Sequence, residues 1–249
     1  MSGHSKWATI RRKKGAIDAK RGKIFTKLIR EIATAARIGG GDPDANPRLR
    51  LAIDKARGAN MPKDTIERGV KKGTGAGEGE AYEAIVYEGY GPGGTALYVE
   101  TLTDNKNRTV GEVRHVLSKH GGNLGATGCV AYLFERRGVL VFDRAGIESD
   151  ALLEAALEAG AEDVIEGSDS VDVVTQPGDF ESVKQQLEAR GLRPASAQLG
   201  MEASATVTLR GKEAEQILQL TEALEDLDDV QNVYSNFDIP EDELTRIAG

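Results

Sequence analysis

The sequence predicts an α+β multidomain protein: an N-terminal helical domain followed by two α+β domains of split-βαβ type, one inserted in the other. Three observations carry this. Residues 14–73 space their apolar residues at the helical period. After residue 80, short runs rich in β-branched and aromatic residues alternate with amphipathic stretches. Within that second part, 138–198 reads β-α-β-β-α-β by itself, while 81–134 and 204–236 supply β-β-α-β and β-α-β around it. A chain of 249 residues accommodates two or three domains. We place them at 1–75, at 76–134 with 204–249, and at 135–203.

The elements follow in order. In KIFTKLIREIATAAR (23–37), Phe25, Leu28, Ile29, Ile32 and Ala36 share one helical face, and Lys23, Lys27, Arg30 and Arg37 share the other. GGGDP ends that helix. Asn46-Pro47 starts the next as N-cap and first helical residue, with Leu49, Ala52, Ile53 and Ala56 as its core stripe. Pro62 opens a short helix carrying Ile66 and Val70, closed by Gly73. GTGAGEGE (73–80) reads as a Gly-rich linker. AIVYEGY and TALYVETL are strands joined across GYGPGG. NRTVGEVRHVLSKHGG is a helix capped by Asn107. CVAYLF and GVLVF are strands, DALLEAALEAG a helix, and DVIEG with VDVVTQ a strand pair. FESVKQQLEARG is a helix, ATVTLRG a strand, EAEQILQLTEALEDL a helix and VQNVYSNF a final strand. A weak echo at an offset of 70, in which Val113, Leu117 and Gly121 recur as Val183, Leu187 and Gly191, is of the kind that any two amphipathic helices ending in Gly produce.

Charge is more informative when divided. The net charge is −8, yet residues 1–75 hold 19 Lys+Arg and 7 Asp+Glu, a balance of +12, leaving 13 basic and 33 acidic residues, or −20, for the rest. Such asymmetry points to a polyanion-binding module attached to acidic domains. Arg11, Arg12, Lys13 and Lys14 are consecutive, so no single helical face holds them all; an arm following phosphates uses all four. Lys6 precedes them, and Lys20, Arg21, Lys23, Lys27 and Arg30 extend the positive surface onto the first helix. Trp7, the one tryptophan, either stacks on a base or fixes the arm to its domain. Lys106 and Arg108 form a local positive spot on an acidic domain, within a stretch that also serves to cap a helix.

Other chemistries fail on the residues. GYGPGG has the dinucleotide spacing but leads into a strand, where pyrophosphate binding needs a helix N-terminus. His4, His115 and His120 have no partners at zinc-ligand spacing, and Cys129 lies in a strand-like run with no cation nearby to activate it, as a buried structural thiol does. Glu222, Glu225, Asp226, Asp228 and Asp229 lack the order of a calcium loop and read as a solvated acidic face. Neither a cofactor nor a metal is expected. The single cysteine and the lack of a long apolar run predict a cytoplasmic protein with no membrane segment or secretory signal.

GHSKWATIRRKKGAIDAKRGKIFTKLIREI and GGGDPDANPRLRLAIDKARGANMPKDTIERGV resemble the N-terminal half of the YebC/PmpR family, and YEGYGPGGTALYVETLTDNKNRTVGEVRHVLSKHGGNLG resembles its central signature. Cys129 and Tyr132 depart from the family pattern, where a serine and an aromatic that is often Trp are expected. The resemblance implies a three-domain fold with one α+β domain inserted into another, and a cytoplasmic, DNA-binding transcriptional regulator. It equally implies a second role, a ribosome-associated translation factor that binds ribosomal RNA and relieves stalling at proline-rich stretches. Both roles use a cationic N-terminal region against nucleic acid, duplex DNA or ribosomal RNA. An enzyme acting on a small molecule between the α+β domains is a third reading, without a catalytic constellation to support it.

Overall fold

The computed structural model describes residues 17–75, 82–167 and 170–248. Its first part is three helices, α1 (Ile17–Gly39), α2 (Pro47–Gly58) and α3 (Lys63–Thr74). The apolar stripe of α1 places Ile32, Ala35 and Ala36 against Leu49, Ala52, Ile53 and Ala56 of α2, with Met61 and Ile66 closing the core. Full burial of Ile32 and Leu49 contributes about 2 kcal/mol each. Asn46 ties two helix ends together. Its Oδ1 accepts from the Leu49 amide at 3.1 Å, and its Nδ2 donates to the carbonyls of Ala35 and Gly40 at 2.9 and 2.8 Å. Helix α3 lies close on α1: a Cβ at Gly73 would stand 2.3 Å from the Ala33 carbonyl oxygen.

Strands β1 (Glu83–Tyr90) and β2 (Ala96–Thr103) pair antiparallel around a turn in which Gly93 and Gly94 take φ of +66° and +74°. Helix α4 (Lys106–Lys119) and the short β3 (Asn123–Leu124) follow, β3 lying antiparallel to β1.

Leu133–Ser204 form a compact unit of their own. It runs β4 (Phe134–Asp143), α5 (Ser149–Ala159), β5 (Asp163–Glu166), β6 (Ser170–Thr175), α6 (Phe180–Ala189) and β7 (Ser196–Ala203). The sheet order is β5-β6-β4-β7, antiparallel throughout, as the β-α-β-β-α-β reading requires. Leu140, Phe142, Leu152, Val171, Val173, Val183 and Leu187 are fully buried. Gly138 leaves room for Phe180, whose Cδ2 a Cβ there would meet at 2.4 Å.

The chain then completes the other unit with β8 (Val207–Thr208), α7 (Gly211–Glu225), β9 (Val230–Ser235), β10 (Phe237–Asp238) and α8 (Glu241–Ala248). Strand β9 joins β2, giving the order β3-β1-β2-β9. Leu97, Val99, Val113, Leu117, Ile217, Leu220, Leu224, Val230 and Phe237 form its core. The architecture is α+β, with a helical N-terminal region ahead of two antiparallel four-stranded sheets.

Four local expectations need correction. CVAYLF is no strand: Cys129 is half-buried in a turn and residues 131–133 form a single 3₁₀ turn, because a side chain described below takes the amides a ladder would need. ATVTLRG contributes only β8, which pairs in parallel with β10 outside the main sheets. The cap of α4 is Asn105, whose Oδ1 accepts from the Arg108 amide at 3.1 Å, and Asn107 lies inside the helix. Gly73 and Thr74 belong to α3, and the linker residues 76–80 lie outside the described residues.

Candidate nucleic-acid interface

The cationic side of α1 does not simply face solvent. Helix α7 ends at Glu225, leaving carbonyl oxygens without amide partners and a partial negative charge at its C-terminus. Lys23 Nζ donates to the Asp226 carbonyl at 3.1 Å, Lys27 Nζ to the Glu225 carbonyl, and Arg30 Nη1 to the Asp228 carbonyl at 2.8 Å. Burial pushes the Lys27 ammonium pKa down, against the opposing pull of Glu225, Asp226 and Asp228.

At the centre of this contact is Asp229, 1% exposed between α7 and β9. Its Oδ1 accepts from Arg30 Nη1 at 2.6 Å. Its Oδ2 accepts from Arg108 Nη2 at 2.7 Å, Thr109 Oγ1 at 2.7 Å and Thr103 Oγ1 at 3.2 Å. Burial alone would raise the carboxyl pKa, but the hydrogen bonds from Arg108, Thr109 and Arg30 outweigh it and hold the pKa below the ordinary value. Those same bonds, with Asp104, raise the Arg108 pKa further. The backbone joins in, since the Leu102 amide donates to the Asp229 carbonyl at 2.8 Å. One carboxylate therefore holds an arginine from α1, an arginine from α4 and the end of β2.

The predicted nucleic-acid residues divide accordingly. Lys23, Lys27, Arg30 and Arg108 converge on residues 225–229, and Lys106 pairs with Glu83 at 2.7 Å on the surface. Lys20 and Arg21 lie on the first turns of α1. Lys6, Trp7, Arg11, Arg12, Lys13 and Lys14 lie outside the described residues. Asp229, read from sequence as part of a solvated acidic face, is instead a buried hub. No periodicity marks it, because it sits in a turn, and its partners lie 120 residues or more away along the chain.

Glu88 is another buried acid that sequence spacing does not reveal. It is 5% exposed in β1, and its carboxylate accepts from the amides of Gly128, Val130 and Ala131 at 2.6, 2.8 and 2.8 Å. Burial works to raise its pKa and the three amides bring it below the ordinary value. Tyr90 Oη fastens the same loop by donating to the Cys129 carbonyl at 3.1 Å. Glu88→Ala leaves three amides without their acceptor; the expected loss is about 2 kcal/mol of stability, read by denaturant unfolding. A loss under about 0.5 kcal/mol would show that water replaces the carboxylate.

Comparison with known proteins agrees with this architecture. Residues 5–76 match the TACO1/YebC protein N-terminal domain, and residues 82–237 match the TACO1/YebC second and third domain. A "Probable transcriptional regulatory protein" of Trichlorobacter lovleyi is 59% identical over 247 residues, covering 99% of this chain and all of that one. Its counterpart in Syntrophus aciditrophicus is 58% identical over 249 residues and the full length of both. The crystal structure of a conserved hypothetical protein from Aquifex aeolicus superimposes with a TM-score of 0.84 at 51% identity, covering 90% of this chain and 93% of that chain. With both of its parts matched and its full-length relatives more than half identical, this chain belongs to the TACO1/YebC family.

Proposed function

We propose that the protein is a non-enzymatic, nucleic-acid-binding regulator of gene expression that acts on duplex DNA through its N-terminal cations. The observation that carries the reading is the charge division: +12 in residues 1–75 against −20 in the remainder. Relatives named as transcriptional regulatory proteins accord with it. In this reading residues 1–75 form the binding domain, 76–134 with 204–249 the domain that carries it, and 135–203 an inserted acidic domain.

The internal contacts support a narrower set of binding cations. Lys23, Lys27, Arg30, Lys106 and Arg108 already have carboxylate or carbonyl partners, so phosphate contact falls to Lys6, Arg11, Arg12, Lys13, Lys14, Lys20 and Arg21. Neutralising about six phosphates gives a slope of log K against log salt near −5. Fluorescence anisotropy with a labelled duplex, titrated at several salt concentrations, measures it. A slope shallower than about −2 overturns the reading. Intact ribosomes added as competitor decide the nucleic-acid class. Retention on the duplex supports transcriptional control, and transfer to the ribosome makes ribosomal RNA the target.

A further inference from the structure

The side of α1 facing α3 contains a small recess. Ala33, Thr34 and Arg37 of α1, Lys72 of α3 and Tyr82, just before β1, line its volume of about 10 Å³, room for one water-sized group. Thr34 is 6% exposed, and its hydroxyl has no hydrogen-bond partner among the described residues.

Thr175 Oγ1 in β6 shares that lack, but the other buried threonines inside described helices, Thr109 and Thr221, are bonded. A threonine inside a helix ordinarily donates to the carbonyl four residues before it. Thr26 does so to Gly22, Thr74 to Val70, Thr221 to Ile217 and Thr245 to Glu241, at 2.9–3.2 Å. Thr34 does not, although a buried hydroxyl without a partner is costly and rare. The surroundings indicate what would complete it. Among the described residues lining the recess none is acidic, and Lys72 and Arg37 bring positive charge. Lys72 Nζ and the Arg30 guanidinium carbon stand 5.5 and 5.3 Å from the centre of the Tyr82 ring, so cations of two helices gather around one aromatic. Hydroxyl and cationic donors around a space for a single oxygen suit an oxyanion that inserts one oxygen and leaves its remainder outside.

We propose that this recess is a phosphate site, in which the Thr34 hydroxyl and the Lys72 ammonium take a non-bridging oxygen of a nucleic-acid backbone phosphate. The assignment rests on the function proposed above and adds to it a seat on the folded helices, separate from the arm.

The test uses the full chain labelled with ¹⁵N, with inorganic phosphate and a short DNA duplex as separate probes. Thr34→Val keeps the side-chain shape and removes the donor; Lys72→Gln removes the charge. Phosphate is expected to shift the amides of Thr34 and Lys72, and Thr34→Val to weaken that response about tenfold while leaving the melting temperature unchanged or higher. The duplex is expected to shift the same amides. Lys72→Gln is expected to reduce the salt slope of duplex binding by about 1, and Thr34→Val to weaken binding severalfold without changing the slope. Amides that phosphate leaves unmoved, or a Thr34→Val response equal to wild type, overturn the site. If phosphate enters but the duplex binds without disturbing these amides or responding to either variant, the recess holds free phosphate. The backbone assignment then falls while the function stands. A wild-type chain that binds no duplex removes both the function and the backbone assignment.

Discussion

Asp229→Ala is expected to lower the melting temperature by about 9 °C. Removing one member of a buried ion-pair set costs about 3 kcal/mol, and a unit of this size shifts by about 3 °C for each. The cost is high because Arg30 and Arg108 both lose their shared carboxylate, and Thr103 and Thr109 lose an acceptor. Asp229→Asn keeps the shape and one acceptor oxygen and is expected to lose about half as much. Asp228→Ala is the control, since position 228 meets Arg30 through its backbone carbonyl. Differential scanning calorimetry on the three variants decides. A shift below about 2 °C for Asp229→Ala would mean that solvent compensates the arginines and that the contact adds little.

The same carboxyl gives the contact a pH dependence of known sign. Its pKa in the folded protein lies below the ordinary value near 3.9. A group of this kind contributes stability above its unfolded pKa and loses it as pH falls through the folded one. The stability gap between wild type and Asp229→Asn is therefore expected to be constant through neutral pH and to close below about pH 4.

The second large effect concerns binding and leaves folding alone. Exchanging Arg11, Arg12, Lys13 and Lys14 for Gln is expected to weaken duplex binding on the order of a thousandfold at physiological salt and to flatten the salt slope from near −5 to near −2. The melting temperature is expected to change by less than about 2 °C. Unchanged affinity would remove the arm as the contact surface and direct attention to the folded helices.

How much of this was legible in the sequence depended on whether the cause was local. Helix α1 was readable because its Phe25–Ala36 stripe repeats within one segment, and α2 because Asn46-Pro47 is a start signal of adjacent residues. The order β4-α5-β5-β6-α6-β7 followed from alternation within one stretch. Cys129–Phe134 misled because the run has strand composition, while the deciding group, Glu88, lies some 40 residues earlier and claims its amides. Helix α8 was missed altogether: its first turn is Glu241, Asp242 and Glu243, and among its described side chains only Leu244 is fully buried. At the candidate interface the cationic face of α1 was visible, but its occupancy was not. Whether Lys27 meets phosphate or the end of α7 depends on tertiary contacts across about 200 residues. Thr34 gave no signal, because its peculiarity is a hydrogen bond it does not make.

The placement of β9 bears on how the chain is made. Leu97 in β2 pairs with Ser235, so the first sheet waits for a segment about 140 residues downstream to leave the ribosome. Residues 133–204, contiguous and closed on themselves, are free to fold well before that. Asp229 arrives later still, with β9. Until residues 225–229 are made, Lys23, Lys27 and Arg30 have no carboxylate hub to meet. Emergence of residues 225–229 is the event that withdraws those charges, so the masking of the first helix waits on a turn about 200 residues downstream.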